Sequence, residues 1–175
     1  DDPVRIASVS KLVVAIGVLK LVDQGRLELD RDVGAYLGWP LRNPAHPDEA
    51  ITLRMLLSHT GSVRDHDDQY AIPLGGSLRQ VMADPRSWDR QRGPRARFFT
   101  YANMNTPVVA SVIEMVTGER FDIWMRREVL DPMQLDACFN WPTCSEAAVS
   151  RAVVLTADGK PIRDDLHGRR PDCPV

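Results

Sequence analysis

Apolar residues crowd into a few stretches of this 175-residue chain, and the densest comes first. Leu12-Val13-Val14-Ala15-Ile16-Gly17-Val18-Leu19 is apolar around most of a helical circumference, and a helix without a polar face is usually buried on several sides. Ser8 and Ser10 offer caps at its start and Gly25 offers a left-handed stop, so the pattern predicts a central, largely buried helix over 8–24. Thr52 to Leu57 reads as a short helix capped by Thr52, and Leu78 to Met82 as one or two helical turns.

Asn105 to Val116 shows the helical period, with Pro107 tolerated in the first turn and Gly118 as the stop. Phe121 to Val129 is a third good helix, ending before Pro132. Around Ala157-Asp158-Gly159-Lys160 two short runs predict a hairpin over 152–162. Residues 60–77 are polar and read as a surface loop, and the five arginines between Arg86 and Arg97 read as a solvated excursion. The sum is a mostly helical region over 25–150 with one late hairpin, in a single domain or one large piece of a bigger one.

Composition narrows the classes. Twenty-two basic residues against 24 acidic ones give a net charge of −2, too balanced for a dedicated nucleic-acid binder. The apolar run Leu12–Val22 contains Lys20 and falls short of a membrane span. Cys138, Cys144 and Cys173 include no Cys-x-x-Cys pair, which fits free thiols or at most one bridge. His59, Asp65, His66, Asp67 and Asp68 match no metal-ligand spacing, so a solvated acidic loop is expected there and no metal.

Ser8-Val9-Ser10-Lys11 carries the candidate chemistry. Three residues of helix set Ser8 and Lys11 on one face, and a serine hydroxyl needs such a neighbour to take its proton. A helix N-terminus adds backbone N–H groups that favour a developing oxyanion. Tyr101-Ala102-Asn103 sits on a tight turn after Phe98-Phe99 and before the helix at Asn105. A tyrosine oxygen beside an ammonium can share the role of proton acceptor, and an asparagine amide can grip a substrate.

Arg5-Ile6-Ala7-Ser8-Val9-Ser10-Lys11 resembles the nucleophile segment of the serine β-lactamase and penicillin-binding protein superfamily. The branch it is most similar to holds class C β-lactamases, D-alanyl-D-alanine carboxypeptidases and related esterases. Leu56-Leu57-Ser58-His59-Thr60-Gly61-Ser62 resembles that branch's Leu-Leu-x-His-Thr-Ser-Gly segment, with small residues altered at the end. Tyr101-Ala102-Asn103 matches its second catalytic motif, and Glu128 to Leu135 is like the segment after its helical region.

The resemblance implies an α+β fold of the β-lactamase/transpeptidase type, here mostly the helical subdomain, with much of the antiparallel sheet outside the chain. It implies Ser8 as the acylated nucleophile, Lys11 as its proton partner, Tyr101 as general base and Asn103 as a ligand for the acyl side chain. The Ser8 N–H would supply half of an oxyanion hole, and His59 would be structural. The family's third motif, Lys-Thr-Gly or His-x-Gly, does not follow Tyr101, so the 175 residues are expected to form a single partial domain and to turn over weakly alone. The expected reaction is hydrolysis of a β-lactam, a D-alanyl peptide or a carboxylic ester through a Ser8 ester, with no metal and no organic cofactor. The alternative is a non-catalytic relative that binds peptides or partners without turnover. The resemblance alone favours a periplasmic or secreted location.

Overall fold

The computed structural model describes residues 2–66, 72, 76–153 and 155–161. Among the described residues seven α-helices and one hairpin follow in chain order: α1 (Ser10–Asp23), α2 (Gly34–Leu37), α3 (Leu53–Leu57), α4 (Leu78–Ala83), α5 (Asn105–Thr117), α6 (Phe121–Met125), α7 (Glu146–Arg151), β1 (Thr156–Ala157) and β2 (Lys160–Pro161). The strands pair antiparallel, Thr156 opposite Pro161 and Ala157 opposite Lys160, with Asp158 and Gly159 both at positive φ in the turn. That is the hairpin that Asp-Gly predicts, although Ile162 lies outside the described residues.

The hub is α5 rather than α1. It packs against α1, α2, α3 and α6, and buries Val108, Val109, Val112 and Ile113. Its buried Glu114 accepts the Phe121 N–H at 2.6 Å, which fixes the turn into α6. Gly118, at φ 72°, ends the helix in the left-handed conformation expected of it.

The expected burial of α1 is corrected on one side. Val14, Gly17, Val18 and Leu21 are buried, while Leu12, Ile16 and Leu19 on the opposite side are 69%, 45% and 52% exposed. An apolar circumference shows that a helix could be covered all round, but among the described residues only one face has neighbours. That face is tightly fitted: a Cβ on Gly17 would meet Met125 Sδ at 2.6 Å and Trp124 at 3.1 Å. At the helix's far end, Lys20 donates to the Glu128 carbonyl at 2.7 Å and pairs with the Glu128 carboxylate at 2.8 Å. The carbonyl belongs to the widened turn Arg126–Leu130, into which the predicted 121–129 helix relaxes after Met125.

Three further expectations change. Helix α1 starts at Ser10, preceded by a tighter turn over Ala7–Val9, and neither serine caps it: the Ser8 hydroxyl is engaged by Tyr101 and Lys11, and Ser10 is already the first helical residue. The Arg86–Arg97 stretch is not simply solvated, because Trp88 is 2% exposed and donates from Nε1 to the Met82 carbonyl at 2.8 Å. Cys138 and Cys144 form the one bridge the composition allowed, and Cys173 lies outside the described residues. Thr52 does cap α3, accepting from Met55 N at 3.3 Å. No helix among the described residues is long and apolar enough to cross a membrane.

Candidate active site

Ser8 projects from the turn over Ala7–Val9, where Ala7 holds a left-handed φ of 45° that a non-glycine residue adopts only when its surroundings enforce it. One helical turn further, Lys11 enters α1. Across from both lies the segment that leads into α5. Ser8 Oγ is 2.7 Å from Tyr101 Oη. Lys11 Nζ donates to Ser8 Oγ at 3.0 Å, to Tyr101 Oη at 2.7 Å and to Asn103 Oδ1 at 2.9 Å. The structure therefore brings together the four residues singled out in the sequence, across 90 positions.

The hydrogen-bond inventory sorts the possible chemistry. An ammonium has three N–H donors and no acceptor, and all three of Lys11's are directed at oxygens. Tyr101 Oη is the oxygen closest to Ser8 Oγ in this arrangement. The hydrogen bonds from Lys11 and then Ser8 pull the Tyr101 phenol below the ordinary tyrosine range, against a smaller opposing effect of burial.

Two loops hold this segment. Asp65 accepts the Asn103 and Met104 N–H groups at 2.8 and 3.0 Å, holding the turn just before α5 from a distant loop, and also accepts from Asn103 Nδ2 at 3.0 Å. That contact turns Asn103 Oδ1 toward Lys11. His59 stacks on the Tyr101 ring, centroids 4.5 Å apart and planes inclined by 26°. Burial, then the nearby Lys11 charge, depress the His59 pKa and favour the neutral imidazole.

Asp65, which the sequence pattern places in a solvated loop, instead holds the Asn103 segment of the site. Its partners are 38 and 39 residues away, and no local pattern announces an acceptor supplied from another segment. Of its neighbours in the acidic run, Asp67 and Asp68 lie outside the described residues. His66 lies 4.0 Å from the Asp84 carboxylate, and among the described residues no cluster of three metal-ligating side chains forms.

The helical core thus presents a serine, a lysine and a tyrosine within mutual hydrogen-bond reach. The chain belongs to the beta-lactamase family, whose model matches residues 1–172. It is 27% identical over 183 residues to lovastatin esterase from Penicillium rubens, covering 89% of this chain and 44% of that protein. It superposes with a TM-score of 0.64 on a D-stereospecific amidohydrolase from Streptomyces sp., at 25% identity, covering 78% of this chain and 44% of the other. A class C β-lactamase from Rhodobacter sphaeroides shares the fold at TM-score 0.70 and 21% identity, covering 93% and 44%. The chain thus spans less than half the length of these relatives, and what it carries is the helical part of the β-lactamase/transpeptidase-like fold.

Proposed function

We propose that the chain carries the nucleophile and proton-transfer groups of a serine hydrolase. In this reading Ser8 Oγ attacks the carbonyl carbon of a carboxylic ester, a β-lactam or a D-alanyl peptide while its proton moves to Tyr101 Oη. The tetrahedral intermediate collapses as the alkoxide or amine leaves and takes that proton. Water then attacks the Ser8 ester, and Tyr101 accepts a proton from the water and returns one to Ser8. Lys11 keeps the phenolate form of Tyr101 favourable throughout.

Asn103 fits a binding role within this scheme. Asp65 takes one of its two Nδ2 hydrogens, and the other is the one a substrate's acyl-side carbonyl would accept. The Ser8 N–H would serve as one oxyanion donor. The observation that carries the reading is the triangle of Ser8 Oγ, Lys11 Nζ and Tyr101 Oη, with all three sides between 2.7 and 3.0 Å. A neighbourhood of esterase, amidohydrolase and β-lactamase relatives supports acyl transfer as its purpose.

The test is covalent labelling with a fluorophosphonate and with a fluorescent penicillin, read by intact mass. Labelling of the wild type that disappears in Ser8→Ala is the expected result. No labelling of the full-length protein by either probe, or labelling that survives in Ser8→Ala, would overturn it in favour of a non-catalytic binder.

A further inference from the structure

His59 touches the Tyr101 segment at three consecutive residues. Its carbonyl accepts the Thr100 N–H at 2.9 Å, its ring stacks on Tyr101, and its Nδ1 accepts the Ala102 N–H at 3.2 Å. A second donor, Asn105 Nδ2 in the first turn of α5, lies 2.9 Å from the same Nδ1, and Asn105 is itself 3% exposed. With a backbone N–H aimed at it, Nδ1 must offer its lone pair, and the ring hydrogen then sits on Nε2.

The backbone of His59 is equally constrained. It lies at φ 55°, in the left-handed region, where the chain leaves α3. Its N–H donates to the Leu56 carbonyl at 3.2 Å, and the next N–H, of Thr60, donates to the Met55 carbonyl at 2.8 Å. The imidazole is therefore anchored to α3 behind and to α5 beside it, and it presents a flat face to the phenol.

We propose that His59 is a positioning residue for Tyr101, holding the phenol against Ser8 and Lys11 as a neutral imidazole with its hydrogen on Nε2. The assignment rests on the serine-hydrolase reading for its use in catalysis, but the positioning itself is independent of turnover. Protonating Nδ1 would set a donor against the fixed Ala102 N–H and break that hydrogen bond. The charged groups facing the ring are Lys11 from α1, which opposes that protonation, and Asp65 from its loop, which favours it, with the ionisable Tyr101 phenol stacked on its face.

Two measurements on the full chain test this. Imidazole 15N chemical shifts of the wild type at neutral pH should show the Nε2–H tautomer, and an Nδ1–H or rapidly averaged signal would overturn the proposal without any variant. Tyr101 ionisation, isolated as the ultraviolet difference between wild type and Tyr101→Phe, should begin below the ordinary tyrosine range. It should move upward toward that range in His59→Phe, which keeps a ring but has no acceptor. His59→Asn places an amide oxygen where Nδ1 was and should retain most of the shift.

For the proposal to stand, acylation by the fluorescent penicillin should fall by about 10–100-fold in His59→Phe, the scale expected when a reacting group is displaced by about 1 Å, with partial rescue in His59→Asn. An unchanged Tyr101 titration in a folded His59→Phe protein overturns the positioning role, whatever the activity. Absence of Ser8-dependent labelling in the wild type, with the titration shift intact, overturns only the serine-hydrolase reading.

Discussion

Lys11 Nζ sits 2.7 Å from Tyr101 Oη, closer than it sits to Ser8 Oγ at 3.0 Å. The lysine is thus placed to favour charge on the tyrosine, and in the proposed mechanism the protonation state of Tyr101 governs attack. Below its midpoint the phenol holds its proton and cannot take another from Ser8. Above the midpoint it can. The acylation rate should therefore rise with pH through a midpoint below the ordinary tyrosine value of about 10, since Lys11 and Ser8 lower it. Tyr101→Phe should lower the rate by about 100–10,000-fold, and Lys11→Met should shift the remaining limb upward. Stopped-flow acylation across pH 6–11 checks this, and a limb unmoved in Lys11→Met would contradict it.

Asp65 accepts three N–H groups from Asn103 and Met104, so Asp65→Ala leaves three donors at the mouth of α5 without their acceptor. A loss of about 1–3 kcal/mol of stability is expected in urea unfolding. Asn103 would also lose the contact that turns its Oδ1 toward Lys11, so acylation should weaken. Asp65→Asn separates the charge from the contact: it keeps one acceptor oxygen but removes a negative charge that pushes the Tyr101 pKa up. The Tyr101 midpoint should then move further down. Movement in the other direction would show that the contact matters more than the charge.

These residues divide by how far their causes reach along the chain. Thr52 before α3, Gly118 after α5 and Asp158-Gly159 in the hairpin act within one turn of themselves, and all are readable from spacing. Ser8, Lys11, Tyr101 and Asn103 were legible because two short motifs each carry their own chemistry. Asp65 was not, because a carboxylate that binds N–H groups 38 residues away looks like any loop aspartate. Trp88 was hidden for a related reason: its arginine-rich surroundings look solvated, while its buried indole donates to the Met82 carbonyl and its backbone bridges to Val63, contacts that spacing cannot show. The bare side of α1 has the same origin, since an apolar helix reports its own composition but not its neighbours.

The Cys138–Cys144 bridge closes a loop of sequence separation 6 and touches none of the four site residues. By loop-closure entropy it should contribute about 2 kcal/mol to stability. A Cys138→Ser, Cys144→Ser variant is expected to unfold at lower denaturant while acylating at the wild-type rate below its transition. Loss of acylation in a variant that remains folded would count against a serine mechanism that needs no thiol.

Helix α1 offers a comparison of two faces on one scaffold. Leu21 is fully buried, and Leu21→Ala should cost about 2–5 kcal/mol as the cavity left behind fails to close. Leu12, Ile16 and Leu19 form the exposed stripe, and replacing each with Ser in the 175-residue chain should change stability by no more than about 0.5 kcal/mol. The same triple substitution should reduce self-association, because a contiguous apolar stripe in water drives chains together. Denaturant unfolding gives the first quantity, and sedimentation velocity over a range of concentrations gives the second. If the stripe variants lose as much stability as Leu21→Ala at a concentration where the chain is monomeric, the face is covered within the monomer, and the one-sided packing of α1 described above is wrong.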